Sequence, residues 1–440
     1  MGASLRASVR QTTVDDDRRA VLAEHGGLHV IRGRPPYGKI EDGLRRWHAH
    51  LRRHEMDKID QRLDHPGVHF VPRTKLGRDT DLRQLLGWRM SALVLAVGAW
   101  RDRPLPVPGV DGYEGRGFYY QNPFVYWFNH YPEPGYRGPQ VELADGALVV
   151  GGGLASLDVV KMLMLETVAR ALTARGHVVD LYNMERRGIS AALTERGLTL
   201  ADLGLRGCTL TYRRGVEDMP VAEVPEDSAP EHTERVRATR RKLMHKFLER
   251  YLCGFRDHRA PVGLLTDGSR LGGLRLAATE VRGGRENTLP GTEEDVPSRL
   301  TVSSVGSIPE PLDGIPMDGE VYHIKDARTG ELDGPEGVFA AGNAVTGKGN
   351  ITASQRHGRL VSQHVLENYL RGTASGYEER LADAKAGAQA GAAAVAEHVK
   401  GRAPLPGERV ALLLKRVRDL QRRVGYPGDY RAYAAGLTHL

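Results

Sequence analysis

The apolar positions of the chain form short continuous runs, and each run is followed by a glycine. Three of these runs carry apolar side chains without polar alternation: residues 92–97 before Gly98, residues 147–150 before Gly151, and residues 337–341 before Gly342. Uninterrupted apolar runs of this length are typical of parallel strands that are covered on both faces. We therefore predict three buried strands at these positions.

Apolar residues at helical spacing follow two of these strands. Val159, Val160, Leu163 and Met164 share one face of a helix predicted over 157–174. Further helices are predicted at 351–370, at 231–252 and at 409–424, the last two with a basic character. Strands that alternate with helices indicate an α/β fold. We predict that 409–424 belongs to an appended helical tail outside the main core.

Composition limits the class of protein. The chain has 440 residues, of which 40% are apolar and 27% charged, as in folded globular proteins of two or three domains. No uninterrupted apolar stretch reaches the roughly 18 residues of a membrane span, so no membrane association is expected. The two cysteines cannot form a disulfide framework or a cysteine-rich metal site, and we predict a cytoplasmic protein with no bound metal.

The chain carries 62 basic and 55 acidic residues, a formal net charge of +7. The basic residues are scattered and stand in no recognisable nucleic-acid module, so nucleic acid is not expected as a partner. Nucleotide phosphates and acidic proteins remain as partners. Arg240, Arg241, Lys242 and the basic tail could dock an acidic electron carrier, or they could form a solvated helix face.

The most informative local pattern follows the second strand. Gly151, Gly153 and Ser156 occupy the small positions of a G-x-G-x-x-G/A/S turn between a strand and a helix. In such turns the first glycine makes the tight bend, the second admits a pyrophosphate, and the third small residue lets the helix pack on the strand. The pattern predicts a dinucleotide site, and the alternative is a glycine-rich turn of purely structural use.

Two arginines indicate which dinucleotide is bound. Arg213 and Arg214 follow residues 210–212, a predicted second strand of the same unit, where NAD-binding proteins carry an acidic residue. Guanidinium groups hold a 2′-phosphate through charge-assisted hydrogen bonds. We therefore predict NADPH rather than NADH, and the alternative is that both arginines are merely solvated.

Several motifs occur in an order that resembles one known family. They are residues 34–38, residues 76–79, residues 92–98 with 105–109, the aromatic stretch 124–133, the turn 151–158, the arginine clamp 213–215, and the glycine-rich segment 337–352. Together they resemble the adrenodoxin-type NADPH–ferredoxin reductases and the related glutamate synthase small subunits. The resemblance implies two interleaved Rossmann-like, doubly wound nucleotide-binding domains that carry FAD and NADPH. It places an FAD-binding domain at 1–112 and 311–370, an NADP-binding domain at 113–310, and a helical basic extension at 371–440.

The resemblance also assigns flavin-binding residues. They are Tyr37, Gly38, Gly98, Gly342, Asn343, Gly349, Asn350, Ile351 and Thr352. The backbone amides around Ile351 would direct donors and a helix dipole towards the flavin edge on which negative charge grows during reduction. Asn343 stands where many family members have aspartate, and its amide can still hydrogen-bond ribityl or phosphate oxygens.

The N-terminus departs from the family pattern. Family members open with a strand, a G-x-G-x-x-G turn and a helix, whereas residues 1–13 contain one glycine and no apolar run. Only the helix end at 18–25 and a strand at 28–31 are predicted there, so the first domain is expected to lack its central strand and diphosphate cradle. Three explanations stay open: a different start or reading frame, a divergent paralogue with weak or no FAD binding, or a misaligned N-terminal end.

The resemblance implies hydride transfer from NADPH to FAD and then electron transfer to an acceptor such as a ferredoxin. We predict no catalytic side chain, because hydride passes directly between the two cofactors. With two cysteines the chain cannot itself ligate an iron–sulfur cluster. The alternative function is NADP(H) binding by a truncated or degenerate paralogue without FAD turnover.

Overall fold

The computed structural model describes residues 6–9, 27–30, 37–65, 68–88, 90, 92–222, 224, 228–347, 351–367 and 406–436. The strands are β1 (Arg6–Val9), β2 (Gly27–Val30), β3 (Val68–Val71), β4 (Leu93–Leu95), β5 (Arg101–Asp102), β6 (Phe118–Tyr120), β7 (Leu148–Val150), β8 (Thr209–Thr211), β9 (Gly254–Arg256), β10 (Arg259–Asp267), β11 (Arg270–Arg282), β12 (Arg285–Thr288), β13 (Glu294–Pro297), β14 (Thr301–Ser303), β15 (Ser307–Ile308), β16 (Met317–Asp318), β17 (Val321–Tyr322), β18 (Ile324–Asp326), β19 (Glu331–Leu332) and β20 (Val338–Ala340).

The helices are α1 (Lys39–Asp42), α2 (Ala49–Leu63), α3 (Leu82–Gly87), α4 (Gln121–His130), α5 (Leu154–Ala174), α6 (Leu181–Arg187), α7 (Ile189–Thr194), α8 (Pro230–Tyr251), α9 (Asn343–Thr346), α10 (Ile351–His364), α11 (Gly407–Arg423) and α12 (Tyr430–Ala435). Short 3₁₀ turns lie at Arg46–His48, Val110–Tyr113 and Val216–Asp218. In the described part of the chain, no helix is both long and apolar enough to cross a bilayer.

The chain forms two compact units, each built from discontinuous segments. The first contains residues 1–41, 50–101 and 307–440, and the second contains residues 42–49 and 102–306. The domain limits predicted from the sequence were 112/113 and 310/311. The structure changes unit at 101/102 and 306/307, and it adds the short segment 42–49 to the second unit.

Within the described residues, the first unit contains a seven-stranded sheet in the order β18-β19-β20-β4-β1-β2-β3. The five strands from β20 to β3 run parallel, and β18 and β19 form an antiparallel edge. The prediction that this domain lacks its central strand is wrong, because β1 lies between β2 and β4 in a parallel ladder. Backbone hydrogen bonds define such a ladder, so it forms without the apolar run that the sequence pattern required.

The C-terminal helix α11 packs into the core of the first unit, whereas the sequence suggested a tail outside that core. Leu413 and Val417 are buried in one apolar cluster with Val71 of β3 and Leu93 of β4. A helix with a narrow apolar face needs only a few such positions to dock against a sheet. Residues 368–405, which include the Ala/Gly-rich stretch of the predicted extension, lie outside the described part.

The second unit is built on a five-stranded parallel sheet in the order β6-β14-β7-β8-β9. Helix α5 and its neighbours cover the face that carries Val149. The antiparallel strands β10–β13 cover the face that carries Leu148 and Val150. Both faces of β7 are therefore buried, which explains its uninterrupted apolar run. The chain order reverses between β7 and β14, and in open α/β sheets ligands bind at the carboxyl ends of strands at such a point.

Candidate functional site

The first glycine of the predicted dinucleotide turn is fixed by its backbone surroundings. Gly151 directly follows β7 with φ +155°, and its amide donates to the carbonyl of Thr211 at 3.0 Å. A Cβ atom at Gly151 would overlap the carbonyl oxygen of Ser304, which lies just beyond β14. The turn therefore requires glycine because three strand ends converge there.

The second glycine faces open space. Gly153 is the residue before α5, and a Cβ atom built on it would meet no atom within 4 Å. The first amides of α5 have no carbonyl partner inside the helix, and the helix dipole is positive at this end. An anion such as a diphosphate can therefore approach the backbone at Gly153 without meeting a side chain.

The third small position is a packing position. Ser156 is fully buried, and its hydroxyl donates to the carbonyl of Gly153 at 2.7 Å. A larger side chain here would push α5 away from β7. The structure thus brings Gly151, Gly153 and Ser156 together in one turn.

Tyr212 borders this turn and was missed by the sequence analysis. Its ring lies against the middle glycine so closely that a Cβ atom on Gly152 would overlap it. The hydroxyl of Tyr212 donates to the carbonyl of Asp218 at 3.2 Å, which fixes the ring. The signal available in the sequence was an aromatic residue directly after the second strand. Tyr212 forms one wall of the turn and leaves Gly153 uncovered.

The two arginines follow β8 but differ in their surroundings. The Arg213 side chain is 61% exposed, and its Nε lies 3.4 Å from Oε1 of Glu286. Arg214 is 31% exposed, and its Nε is ion-paired with the same oxygen. Burial disfavours the charged form of Glu286, but the hydrogen bonds it accepts, above all from Arg214, and the charges of both arginines together outweigh burial and lower the pKa of Glu286. Glu286 was not singled out from the sequence, because it lies 72 residues beyond Arg214.

The predicted flavin-binding segment begins at the carboxyl end of β20. Gly342 has φ +74° and ψ −143°, a conformation that non-glycine residues avoid. Its N–H donates to Nδ1 of His357 at 3.0 Å, and Nε2 of His357 lies 2.6 Å from the carbonyl oxygen of Ala327. Since Nδ1 accepts, Nε2 carries the proton and donates to Ala327. His357 lies in the middle of α10, and no sequence signal distinguished it.

The remaining residues of this motif are placed only in part. Asn343 opens the short helix α9, and Ile351 and Thr352 form the first turn of α10. Gly349 and Asn350 lie outside the described residues. The start of α10 therefore presents helix-terminal amides at the predicted position.

Tyr37, Gly38 and Gly98 lie in the same unit. The Tyr37 hydroxyl donates to Oδ2 of Asp60 at 3.2 Å, and the other oxygen of Asp60 accepts from Tyr430 of α12. Burial and the neighbouring Asp60 charge raise the pKa of Tyr37. Gly38 and Gly98 both have positive φ, +55° and +70°. The Asp60 carboxylate therefore connects the segment at Tyr37 with the C-terminal helix α12. The sequence did not indicate this connection.

The chain is similar in sequence to proteins named NADPH:adrenodoxin oxidoreductase. The chain is 27% identical over 386 residues to the mitochondrial NADPH:adrenodoxin oxidoreductase of Rattus norvegicus, covering 80% of this chain and 76% of that protein. It is 26% identical over 339 residues to the Arabidopsis thaliana protein of the same name, covering 69% and 68%. The chain is a homologue of the NADPH:adrenodoxin oxidoreductases. No protein-family model matches it.

A solved structure agrees with the homology at the level of the fold. FprA of Mycobacterium tuberculosis in complex with NADPH superposes with a TM-score of 0.62 at 18% identity, covering 96% of this chain and 91% of that one. The prediction of an α/β protein with two Rossmann-like nucleotide-binding domains is confirmed for this homologue.

The residues of this homologue fit a flavin at one edge of the first sheet. The glycine-only conformation of Gly342 and the amides at the start of α10 form a cradle that a side chain at position 342 would disturb. The residues expected to hold the FAD diphosphate fit less well. Residues 10–25, which follow β1, contain no glycine that would let a diphosphate approach the backbone. Residues 10–26 and 31–36 lie outside the described part of the chain, as does the helix end expected at 18–25.

Metal binding finds no support in the described residues. They contain no group of three or more histidine, cysteine, aspartate or glutamate side chains arranged to hold an ion. Cys208 and Cys253 are both free thiols, and burial raises the pKa of Cys253 to about 12. A protonated, buried thiol is a poor nucleophile and a poor metal ligand.

Proposed function

We propose that this protein is an FAD-dependent oxidoreductase that takes hydride from NADPH and passes electrons to an iron–sulfur protein such as a ferredoxin. The observation that carries the proposal is the open helix terminus at Gly153, at the reversal point of a parallel sheet. The exposed Arg213 follows the neighbouring strand. The homology to proteins named NADPH:adrenodoxin oxidoreductases supports the same activity.

The second unit supplies the nucleotide-binding groups. The amides at the start of α5 hold the diphosphate of NADPH, and Gly153 lets it approach the backbone. Arg213 and Arg214 recognise the 2′-phosphate through charge-assisted hydrogen bonds. These groups bind and orient the nicotinamide nucleotide, and no side chain has to donate or accept a proton.

The first unit supplies the flavin-binding groups. Bound FAD would supply the chemistry that couples a two-electron hydride donor to a one-electron iron–sulfur acceptor. Gly342 and the helix-terminal amides of Ile351 and Thr352 would hold the pyrimidine edge of the ring. His357 keeps Gly342 in place. Tyr37 and Gly98 lie on neighbouring segments of the proposed flavin site.

The electron acceptor is proposed to dock on basic side chains. Helix α8 exposes Arg235, Arg237, Arg241, Lys242 and Lys246. Opposite charge on an acidic iron–sulfur protein would accelerate encounter, and the rate would fall with ionic strength.

One observation favours a second candidate function. The segment after β1 has no glycine to admit a second diphosphate, which favours a protein that binds NADP(H) but retains FAD weakly or not at all.

The experiment is to purify the full chain and record its visible spectrum before and after anaerobic addition of NADPH. The proposed function predicts flavin absorbance that bleaches with NADPH faster than with NADH. A colourless protein that binds NADPH would instead support the second candidate.

The double substitution Arg213→Ala with Arg214→Ala is expected to abolish the preference for NADPH. Arg206→Ala, at a side chain that is 80% exposed and paired with Asp145, serves as the matched control. An unchanged preference in the double variant would reject the phosphate assignment.

A further inference from the structure

The two arginines proposed to bind the 2′-phosphate share one carboxylate. Glu286 lies on β12, opposite Val281 of β11 in the antiparallel hairpin. Its side chain is only 19% exposed, and one of its oxygens contacts the Nε atoms of both Arg213 and Arg214. The hairpin turn also accepts from Arg214, whose Nη2 donates to the carbonyl of Gly284 at 3.1 Å.

These contacts hold the two arginine side chains to different degrees. Arg214 is held to the hairpin through Nε and Nη2, so its guanidinium is fixed in place. Arg213 makes one long side-chain contact at 3.4 Å, and 61% of its side chain is exposed. An incoming phosphate would therefore meet an exposed Arg213 and an anchored Arg214.

The carboxylate also sets the local charge. Burial acts to raise the pKa of Glu286, but the hydrogen bonds from Arg214 and the backbone and the charges of Arg213 and Arg214 together outweigh it and lower this pKa, so Glu286 is negative at neutral pH. Two guanidinium groups and one carboxylate leave a single net positive charge to attract a doubly charged 2′-phosphate. The interaction of Glu286 with that phosphate is repulsive.

We propose that Glu286 determines how strongly this protein prefers NADP(H) over NAD(H), by anchoring Arg214 and by neutralising part of the charge that attracts the 2′-phosphate. This inference rests on the proposed function, which assigns the 2′-phosphate to Arg213 and Arg214. It makes the β11–β12 hairpin part of the nucleotide site, although the sequence motif ends at residue 215.

The substitution Glu286→Gln separates the two effects. The amide oxygen can still accept from Arg214, so the anchor is retained, while the negative charge is removed. We expect the affinity for a 2′-phosphorylated nucleotide to rise roughly three- to tenfold, the effect of removing one nearby charge at a partly solvated site. A nucleotide without the 2′-phosphate should change by less than about twofold, because it places no charge beside Glu286.

The experiment is calorimetric titration of the full chain with adenosine 2′,5′-bisphosphate and with 5′-AMP. Glu280→Gln is the matched control, since Glu280 pairs with Arg282 on the same hairpin and does not contact the clamp. Thermal unfolding of each variant verifies the fold, and Glu286→Ala, which removes the charge and the Arg214 anchor together, should bind the bisphosphate less tightly than Glu286→Gln.

Tighter binding of the bisphosphate by Glu286→Gln, with 5′-AMP and the control variant unchanged, would support the inference. Unchanged or weaker bisphosphate binding, or an equal change for both nucleotides, would overturn it while leaving the proposed function intact. A wild-type protein that binds 5′-AMP and the bisphosphate equally would instead reject the 2′-phosphate assignment in the proposed function.

Discussion

His357 accepts a hydrogen bond from the backbone N–H of Gly342 at 3.0 Å and thereby ties α10 to the end of β20. The other ring nitrogen donates to the carbonyl of Ala327 at 2.6 Å. One buried imidazole thus satisfies a donor and an acceptor of two separate backbone segments. It holds the conformation of Gly342, where the proposed flavin-binding segment begins.

Replacing His357 by alanine should therefore remove the hydrogen bonds that the N–H of Gly342 and the carbonyl of Ala327 make with its ring. We expect a loss of roughly 1–3 kcal/mol in the free energy of unfolding, measured with denaturant, together with a lower flavin content after purification. Gln363→Ala, at an exposed position of the same helix, should change stability by less than about 0.5 kcal/mol. Equal stability of the two variants would show that the His357 contacts do not stabilise the protein.

The two glycines of the dinucleotide turn should respond differently to alanine. Gly151→Ala forces a methyl group onto the Ser304 carbonyl and should cost roughly 1–3 kcal/mol in stability. Gly153→Ala meets no atom within 4 Å and should cost less than about 1 kcal/mol. Its methyl group would nevertheless stand where the diphosphate is proposed to approach, so NADP⁺ affinity should fall about tenfold. Thermal unfolding and NADP⁺ titration measure the two effects, and unimpaired NADP⁺ binding by Gly153→Ala would contradict the assigned approach.

The C-terminal segment should contribute to the stability of the first unit through Phe70. This side chain is 2% exposed, and its ring contacts those of Tyr426, Tyr430 and Tyr433 at centroid distances of 5.7, 5.4 and 5.9 Å. Phe70→Ala should therefore lower the free energy of unfolding by roughly 3–5 kcal/mol. Leu412→Ala, at a residue of α11 that is 52% exposed, is the control and should have little effect. A small effect at Phe70 would mean that residues 406–436 are only loosely attached.

The stability of the second unit should depend on pH through His130. Nδ1 lies 2.8 Å from Oε1 of Glu133, and Nε2 lies 3.4 Å from Oδ1 of Asp42. Burial disfavours the charged imidazole, but the proximity of the Asp42 and Glu133 carboxylates outweighs burial and raises the pKa of His130 above its usual 6.5. A histidine whose pKa is higher in the folded than in the unfolded state stabilises the folded state. This stabilisation is complete at pH values below the ordinary pKa of 6.5, and it is lost as the pH rises through the raised pKa.

The free energy of unfolding of the wild type should therefore exceed that of His130→Gln by up to about 1 kcal/mol near pH 5.5. The difference should be smaller near pH 8.5. Urea unfolding at both pH values measures the difference. A gap that is constant with pH would show that the charged form of His130 contributes nothing.

Much of the fold was predictable from local patterns. The strands at Leu93–Leu95, Leu148–Val150 and Val338–Ala340 and the helices α5, α8 and α10 occur where the sequence pattern places them. Each has a strong signal, because a strand that is covered on both faces must be apolar throughout and a packed helix must repeat its apolar positions. Strand β1 carries neither signal, and only its neighbours in the sheet reveal it.

The candidate site, like the fold, was predictable only where its residues lie close together in the sequence. Gly151, Gly153 and Ser156 stand at fixed spacing in one turn, so a local pattern is sufficient to identify them. Glu286 and His357 act on residues from which they are separated by 72 and 15 positions, and no spacing rule links them. Their roles follow from the hydrogen bonds they make.

The order of apolar runs and glycines along the chain by itself determined the α/β class and the glycine-rich turn, and Arg213 and Arg214 predicted a phosphorylated nucleotide. These features depend on the conformations of a few consecutive residues, which local sequence controls. The tertiary structure decided that β1 completes the first sheet, that α11 belongs to its core, and that Glu286 joins the arginine clamp. Each of these outcomes depends on contacts between residues distant in sequence, whose free energies are set by burial and charge in the folded chain.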